Sequence, residues 1–185
     1  MNCQKLPQIR LRAIEPEDLD YLYRIENDKR LWDVGETNMP YSRYALHEFV
    51  ANCPTDIYTD KQLRLMILSP EGETVGMVDL MNFDPRHQRA EIGIVVDKLH
   101  RRCGYAQAAI EEIKNYSIEI IHLHQLYAVV SKNNTHSLEL FQQAGFEATA
   151  TLKDWLFNGK KFRDAILFQY FFLKKHTRIF GGMGK

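Results

Sequence analysis

Glu91-Ile92-Gly93-Ile94-Val95-Val96-Asp97-Lys98-Leu99-His100-Arg101-Arg102-Cys103-Gly104-Tyr105-Ala106 is the stretch around which this chain is organised. It opens as a β-rich apolar run carrying a single acid, Glu91. It closes on a basic turn with Gly104, after which a long amphipathic segment begins. Strand, basic turn and helix together hold an anion well. The first N–H groups of the helix lack intrahelical partners, the helix dipole adds partial positive charge, and Arg101 and Arg102 add more. Gly104 permits unusual dihedrals and close backbone approach. Within the run, strand alternation places Glu91 and Gly93 on the face opposite Ile92 and Ile94. A carboxylate in a mostly apolar strand requires a partner or a cleft.

Upstream of this stretch, Leu63–Leu68, Thr74–Phe83 and Gln88–Asp97 read as three strands separated by short turns, an antiparallel meander. Before them, Ile9–Ala13 alternates like a half-buried strand, and Glu15-Pro16-Glu17-Asp18 opens a helix with proline and acids in its first turn. Leu31–Pro40 reads as a loop, and Ser42 as the cap of a second helix stopped at Pro54. Downstream, Gly104–Ile120 is helical in period, with Ala106, Ala109, Ile110, Ile113, Ser117 and Ile120 on one face. Leu126–Ser131 is a strand, and Asn134–Ala144 a helix stopped by Gly145. Phe146–Phe157 and Lys161–Phe172 are strands joined at Asn158-Gly159, which signals a type I′ hairpin. The class is mixed α/β, with a mostly antiparallel sheet flanked by helices, in one domain over 1–174. A mobile tail is expected over 175–185.

Composition narrows the function. At 185 residues and 45% hydrophobic, the chain can bury a real core, and its zero net charge argues against a nucleic-acid footprint. The N-terminus lacks the apolar core of a signal peptide and no run reaches membrane-spanning length, so a cytoplasmic protein without a membrane partner is expected. Cys3, Cys53 and Cys103 are scattered, and no CxxC occurs. His122-x-His124 has same-face spacing but no third ligand at a recognisable distance, so no metal is expected. Phe168-x-Tyr170-Phe171-Phe172 either closes the core or forms the edge of a homo-oligomer.

Three motifs in order carry a resemblance. Arg101-x-x-Gly104-x-Ala106, between strand and helix, is similar to the Q/R-x-x-G-x-G/A acyl-CoA motif of the GNAT superfamily of N-acetyltransferases. Asn134-x-x-Ser137 followed by Leu140–Phe146 resembles its N-x-x-S/A…GF helix, and Asn158–Asp164 its final hairpin. The likeness runs from about Ile9 to Leu173. It looks closest to the branch holding spermidine acetyltransferases and the N-terminal alanine acetyltransferases of ribosomal proteins.

The resemblance implies acetyl-CoA as cosubstrate and transfer of its acetyl group to a primary amine, of a polyamine or a peptide N-terminus, by direct attack. The backbone of Ile94, Val95 and Val96 would bond the pantetheine arm like an added strand. The N–H groups of Arg101, Arg102, Cys103, Gly104, Tyr105 and Ala106 would cradle the pyrophosphate. Asn134, Ser137 and Phe141 would flank the thiol end. Glu91 would take the amine's proton, and N–H groups around Ile94 would hold the developing oxyanion. Amines would enter by the loop of Trp32, Asp33 and Glu36, with Glu48 and Asp56 as further carboxylates for a polycation. Phe141 departs from the family, where many members carry a tyrosine that protonates the thiolate. That departure supports an alternative, a non-catalytic acyl-CoA-binding regulator on the same fold; Glu91 argues against it.

Overall fold

A computed structural model describes residues 6–32, 39–52 and 56–172, Trp32 through its backbone alone. The elements in chain order are β1 (Arg10–Ala13), α1 (Leu19–Glu26), α2 (Lys29–Trp32), α3 (Arg43–Ala51), α4 (Ile57–Asp60), β2 (Leu63–Leu68), β3 (Thr74–Asp84), β4 (Arg89–Val96), α5 (Tyr105–Glu119), β5 (Gln125–Ser131), α6 (Thr135–Gln143), β6 (Glu147–Phe157) and β7 (Phe162–Phe171). The strands form a 7-stranded sheet in the order β1-β2-β3-β4-β5-β7-β6. Every adjacent pair is antiparallel except β4–β5.

Local chemistry explains the helix boundaries. A reciprocal Glu15–Asp18 capping box closes a 3₁₀ turn, Pro16–Asp18, that leads into α1. Ser42 Oγ accepts from Ala45 N–H at 3.0 Å and starts α3. Asp56 does the same for α4, accepting from Tyr58 N–H at 2.9 Å. Asn134 Oδ1 accepts from Ser137 N–H at 3.2 Å at the start of α6, and Gly145, with φ 84°, ends it.

Pleat alternation divides the sheet between two cores. Leu65, Val78 and Ile94 lie in register and pack with Ile92, Ala109, Ile110, Ile113, Leu126 and Phe168 beneath α5 and α6. Met66, Met77 and Val95 lie in register on the other face, against Tyr21, Leu22, Ile25 and Leu46 of α1 and α3. Glu91 and Gly93 share Val95's face, as the alternation requires.

Several expectations are corrected. Lys29–Trp32 and Ile57–Asp60 are short helices where a loop or no element was expected, the second set by its Asp56 cap. Ile120 is 61% exposed, because α5 ends at Glu119 and its last residue leaves the buried stripe. The hairpin turn is not type I′: of Asn158, Gly159 and Lys160, only Gly159 has positive φ. Asn158 instead accepts from Lys160 and Lys161 N–H through its side chain, at 3.2 and 3.0 Å. Phe168 and Phe172 close the core, while Phe171 is 44% exposed. His122 and His124 are exposed, and no His/Cys/Asp/Glu group among the described residues is placed to hold a metal. No described helix is long and apolar enough to cross a membrane. Pro54 and the expected tail over 175–185 lie outside the described residues.

Candidate active site

The parallel pair places the site. Its ladder joins Arg89 to Gln125, Ala90 to Leu126 and Glu91 to Tyr127, and no later rung is formed among the described residues. β4 continues to Val96 and β5 to Ser131, which pairs with β7. The two strands therefore part, both running toward the same end of the sheet, where their turns lead into α5 and α6. Such an opening at the carboxyl ends of parallel strands collects helix N-termini and their positive dipole ends. Beyond Glu91 the edge of β4 facing β5 is backbone without a sheet partner, which an extended ligand could satisfy as an added strand. The backbone of Ile94 faces this edge, whereas that of Val95 faces β3, where its carbonyl lies against Gly76. The Val96 carbonyl on the open edge already accepts from Arg101 Nε at 3.0 Å.

The turn after β4 is held at both ends. Asp97, 6% exposed, accepts from Leu99 N–H and pairs with Arg24 of α1 at 2.7 Å. Arg102 and Gly104 both have positive φ, 64° and 84°. Ala108 N–H donates to Gly104 carbonyl at 3.0 Å, so the N–H groups of Tyr105, Ala106 and Gln107 precede the first helical bond of the 15-residue α5. Arg101 and Arg102 are exposed; Cys103 is exposed too, its Sγ 3.5 Å from the Arg101 carbonyl. The positive φ of Gly104 is the unusual dihedral the sequence suggested, and packing adds a second reason for glycine. A Cβ at Gly104 would lie 2.9 Å from Pro7 Cδ and 3.6 Å from Leu6 Cδ2, so the N-terminal segment fills that direction.

Glu91 occupies the last rung before β4 and β5 separate. Asn82 Nδ2 donates to its Oε2 at 2.9 Å. Asn82 sits at a bulge between Met81 and Asp84, with φ 50°, and the bulge turns its side chain toward Glu91. Tyr127 pairs with Glu91 on that rung, so its hydroxyl lies on the same face of the sheet as the carboxylate and feels its charge. Burial first, and then the Glu91 charge, hold that hydroxyl's pKa above the ordinary tyrosine value. Arg89, the nearest cation along β4, pairs with Asp84 at 3.4 Å. Nothing local in the sequence marks Tyr127 as a neighbour of Glu91, since only the parallel register brings them together.

α6 brings Asn134 and Ser137 to the β5 side of the opening, both partly exposed. Phe141 lies deeper, 4% exposed, stacked on Phe168 at 6.0 Å and edge-on to Phe146 at 5.1 Å. Tyr105 is edge-on to His100 at 6.0 Å, and its charged neighbours are Glu71 and Glu73 rather than Glu91. Asp33, Glu36 and the Trp32 side chain lie outside the described residues. Asp56 serves as a helix cap, and Glu48 is exposed on α3.

A family model described as an acetyltransferase (GNAT) domain matches residues 8–147. The chain is 27% identical over 178 residues to spermidine N(1)-acetyltransferase of Escherichia coli strain K12, covering 91% of this chain and 90% of that protein. It is 25% identical over 157 residues to the Vibrio cholerae enzyme of the same name, covering 85% and 89%. Among solved structures, Vibrio cholerae spermidine N-acetyltransferase in complex with CoA and spermine superposes with TM-score 0.81 at 23% identity, covering 89% of this chain and 95% of that one. A dodecameric form of the same enzyme superposes with TM-score 0.75 at 24% identity, covering 89% and 94%.

Proposed function

Since this chain belongs to the GNAT acetyltransferase family and is an acetyl-CoA-dependent N-acetyltransferase, we propose that its acceptor is a polyamine, acetylated at a primary amine with Glu91 as general base. The observation that carries this reading is an acid at the last β4–β5 rung, hydrogen-bonded by Asn82 and paired in register with Tyr127 where the strands part. The two relatives named for spermidine support a polyamine over a peptide N-terminus.

A primary alkyl amine with a pKa near that of lysine, about 10, is only about one part in a thousand neutral at pH 7. An ammonium has no lone pair for attack, so the site must take a proton from it. Glu91 receives that proton, directly or through one water. Acetyl-CoA supplies the acetyl group and a thiolate that leaves readily. Backbone N–H groups of β4 around Ile94 point to where negative charge develops on the carbonyl oxygen. The N–H groups from Arg101 to Ala106, with the α5 dipole, hold the pyrophosphate. Asn134 and Ser137 border the thiol end. Phe141 has no proton to give, so none of its chemistry enters the mechanism.

The test is thiol release from acetyl-CoA with spermidine, spermine, amino acids and short peptides. Release with polyamines and little with peptides is expected; release with peptides alone would overturn the substrate assignment. Binding of acetyl-CoA without release from any amine would favour the regulator instead. A homo-oligomer belongs to the same reading, supported by the dodecameric structural neighbour and by exposed Phe157 and Phe162 at the hairpin tip. Light scattering of the full chain checks it.

A further inference from the structure

The polar cluster around Glu91 carries more than a single base. Position 127 enters it because the parallel register sets Tyr127 beside Glu91 on the final rung. Paired residues of neighbouring strands point to the same face, so the hydroxyl and the carboxylate share one side of the sheet. Asn82 enters from the opposite neighbour, β3, through the bulge and its positive φ. The carboxylate is thus approached by a neutral donor from each flanking strand, at the rung where the sheet opens.

We propose that Tyr127 and Asn82 are positioning residues for acetyl transfer: together they keep the Glu91 carboxylate ionised and aimed into the opening between β4 and β5. This rests on the reading of Glu91 as general base. The donors act in two ways. A carboxylate left to swing in a partly buried site samples many rotamers, and two fixed donors remove most of them. Hydrogen bonds to the charged form also lower a carboxyl's pKa, so the base is deprotonated when the ammonium arrives. The cost is some basicity, which is tolerable because the proton moves on to solvent.

Several described charges near Glu91 are themselves paired. On its own strand, Arg89 pairs with Asp84 of β3. Two residues along β3 on the same face, Asp79 is held by Arg64 of β2 at 2.7 Å, and Arg64 also pairs with Glu26 of α1 at 2.6 Å. From β5 and β7, Gln125 and Gln169 bond one another at 2.7 Å and bring no charge. Met81 is the residue directly opposite Glu91 on β3. Among the described residues, the Asn82 amide and the Tyr127 hydroxyl are the neutral polar groups that flank Glu91 from the strands on either side.

The experiment is a ¹³C titration of the Glu91 side-chain carboxyl in the full chain, assigned with Glu91→Gln, alongside steady-state kinetics. Tyr127→Phe keeps the ring and removes the hydroxyl. Asn82→Gly keeps the positive φ, which glycine adopts freely, and removes the amide. Each variant should raise the Glu91 midpoint by about half to one pH unit. The acid limb of kcat/KM should shift by the same amount. kcat with a polyamine should fall about tenfold while KM for acetyl-CoA stays within about twofold. An unmoved midpoint in both variants, or a moved midpoint with unchanged kcat, would overturn the proposal. A KM for acetyl-CoA that rises along with the fall in kcat would reduce the pair to a structural role and overturn it too. If the general-base reading itself fails, Glu91→Gln will turn over at the wild-type rate while the carboxyl midpoint still responds to Tyr127→Phe. Asn82 is exposed at a bulge, so its variant keeps the test available if Tyr127→Phe does not fold.

Discussion

Gly104→Ala tests whether the turn before α5 is built as described. The residue has φ 84°, and a Cβ there would stand 2.9 Å from Pro7 Cδ, closer than real Cβ atoms approach. An L-residue in the left-handed region costs about 1–2 kcal/mol. The Pro7 contact adds to this unless the N-terminal segment moves, so a total of about 2–3 kcal/mol is expected. At this chain length each kcal/mol lowers Tm by about 2–4 °C, which predicts a fall of roughly 4–12 °C. The chain can relieve the strain by letting the first turn of α5 fray. That misdirects the N–H groups of Tyr105, Ala106 and Gln107, and coenzyme A affinity should fall about tenfold or more. Differential scanning fluorimetry reads the first effect and isothermal titration with coenzyme A the second. Adding Pro7→Gly to Gly104→Ala removes the ring that blocks the Cβ, so part of the Tm loss should return while the φ penalty stays. Unchanged Tm and unchanged coenzyme A affinity in Gly104→Ala would refute both the packing argument and the cradle.

Three further outcomes follow from the same geometry. Burial would raise the pKa of Asp18, but hydrogen bonds from Arg12 at 2.6 and 2.8 Å outweigh it and hold the carboxyl below its usual value; Asp18→Asn should therefore cost about 2 kcal/mol near neutral pH. That difference should shrink as pH falls from about 4 through the lowered folded value, because protonation costs the wild type the same bonds, and denaturant melts against pH would show it. Phe141→Tyr puts a hydroxyl among Phe146 and Phe168 and should lower stability by about 1–3 kcal/mol without raising kcat; faster turnover at unchanged Tm would instead place that hydroxyl at the thiol. Lys114 donates to the Ala144 carbonyl at 3.0 Å, pairs with Glu111 at 2.8 Å and lies over the Tyr170 ring at 4.5 Å; Lys114→Ala should loosen the end of α6 and lower Tm by several degrees, about 2 kcal/mol in a thermal melt.

What the sequence revealed and what it hid follow from distance along the chain. The meander, α5 and the closing hairpin were legible because alternation, helical period and turn residues are local signals. The two short helices were missed because one cap and four residues leave almost no periodicity. The acid on β4 was legible as an oddity in an apolar run, but its partners were not. Arg89 is the nearest cation along the strand, yet it pairs with Asp84, while the parallel register brings Tyr127 from another strand and a bulge brings Asn82. Gly104 was legible as a residue of unusual dihedrals, which its φ of 84° bears out, whereas the Pro7 ring that its missing Cβ would meet comes from a distant segment that the local pattern does not show. Phe141 could be read as a departure from a pattern, whereas its burial against Phe146 and Phe168 depended on how α6 packs on β7.

The most direct test of the central claim compares wild type and Glu91→Gln for polyamine acetylation from about pH 6 to about pH 9. Glutamine keeps the shape and the bond from Asn82 while removing the base. The account predicts a loss in kcat/KM of roughly 10²–10⁴-fold at neutral pH, narrowing as pH rises and free amine becomes available without help. Equal rates across that range would contradict it, and would leave proximity and oxyanion stabilisation as the whole of catalysis.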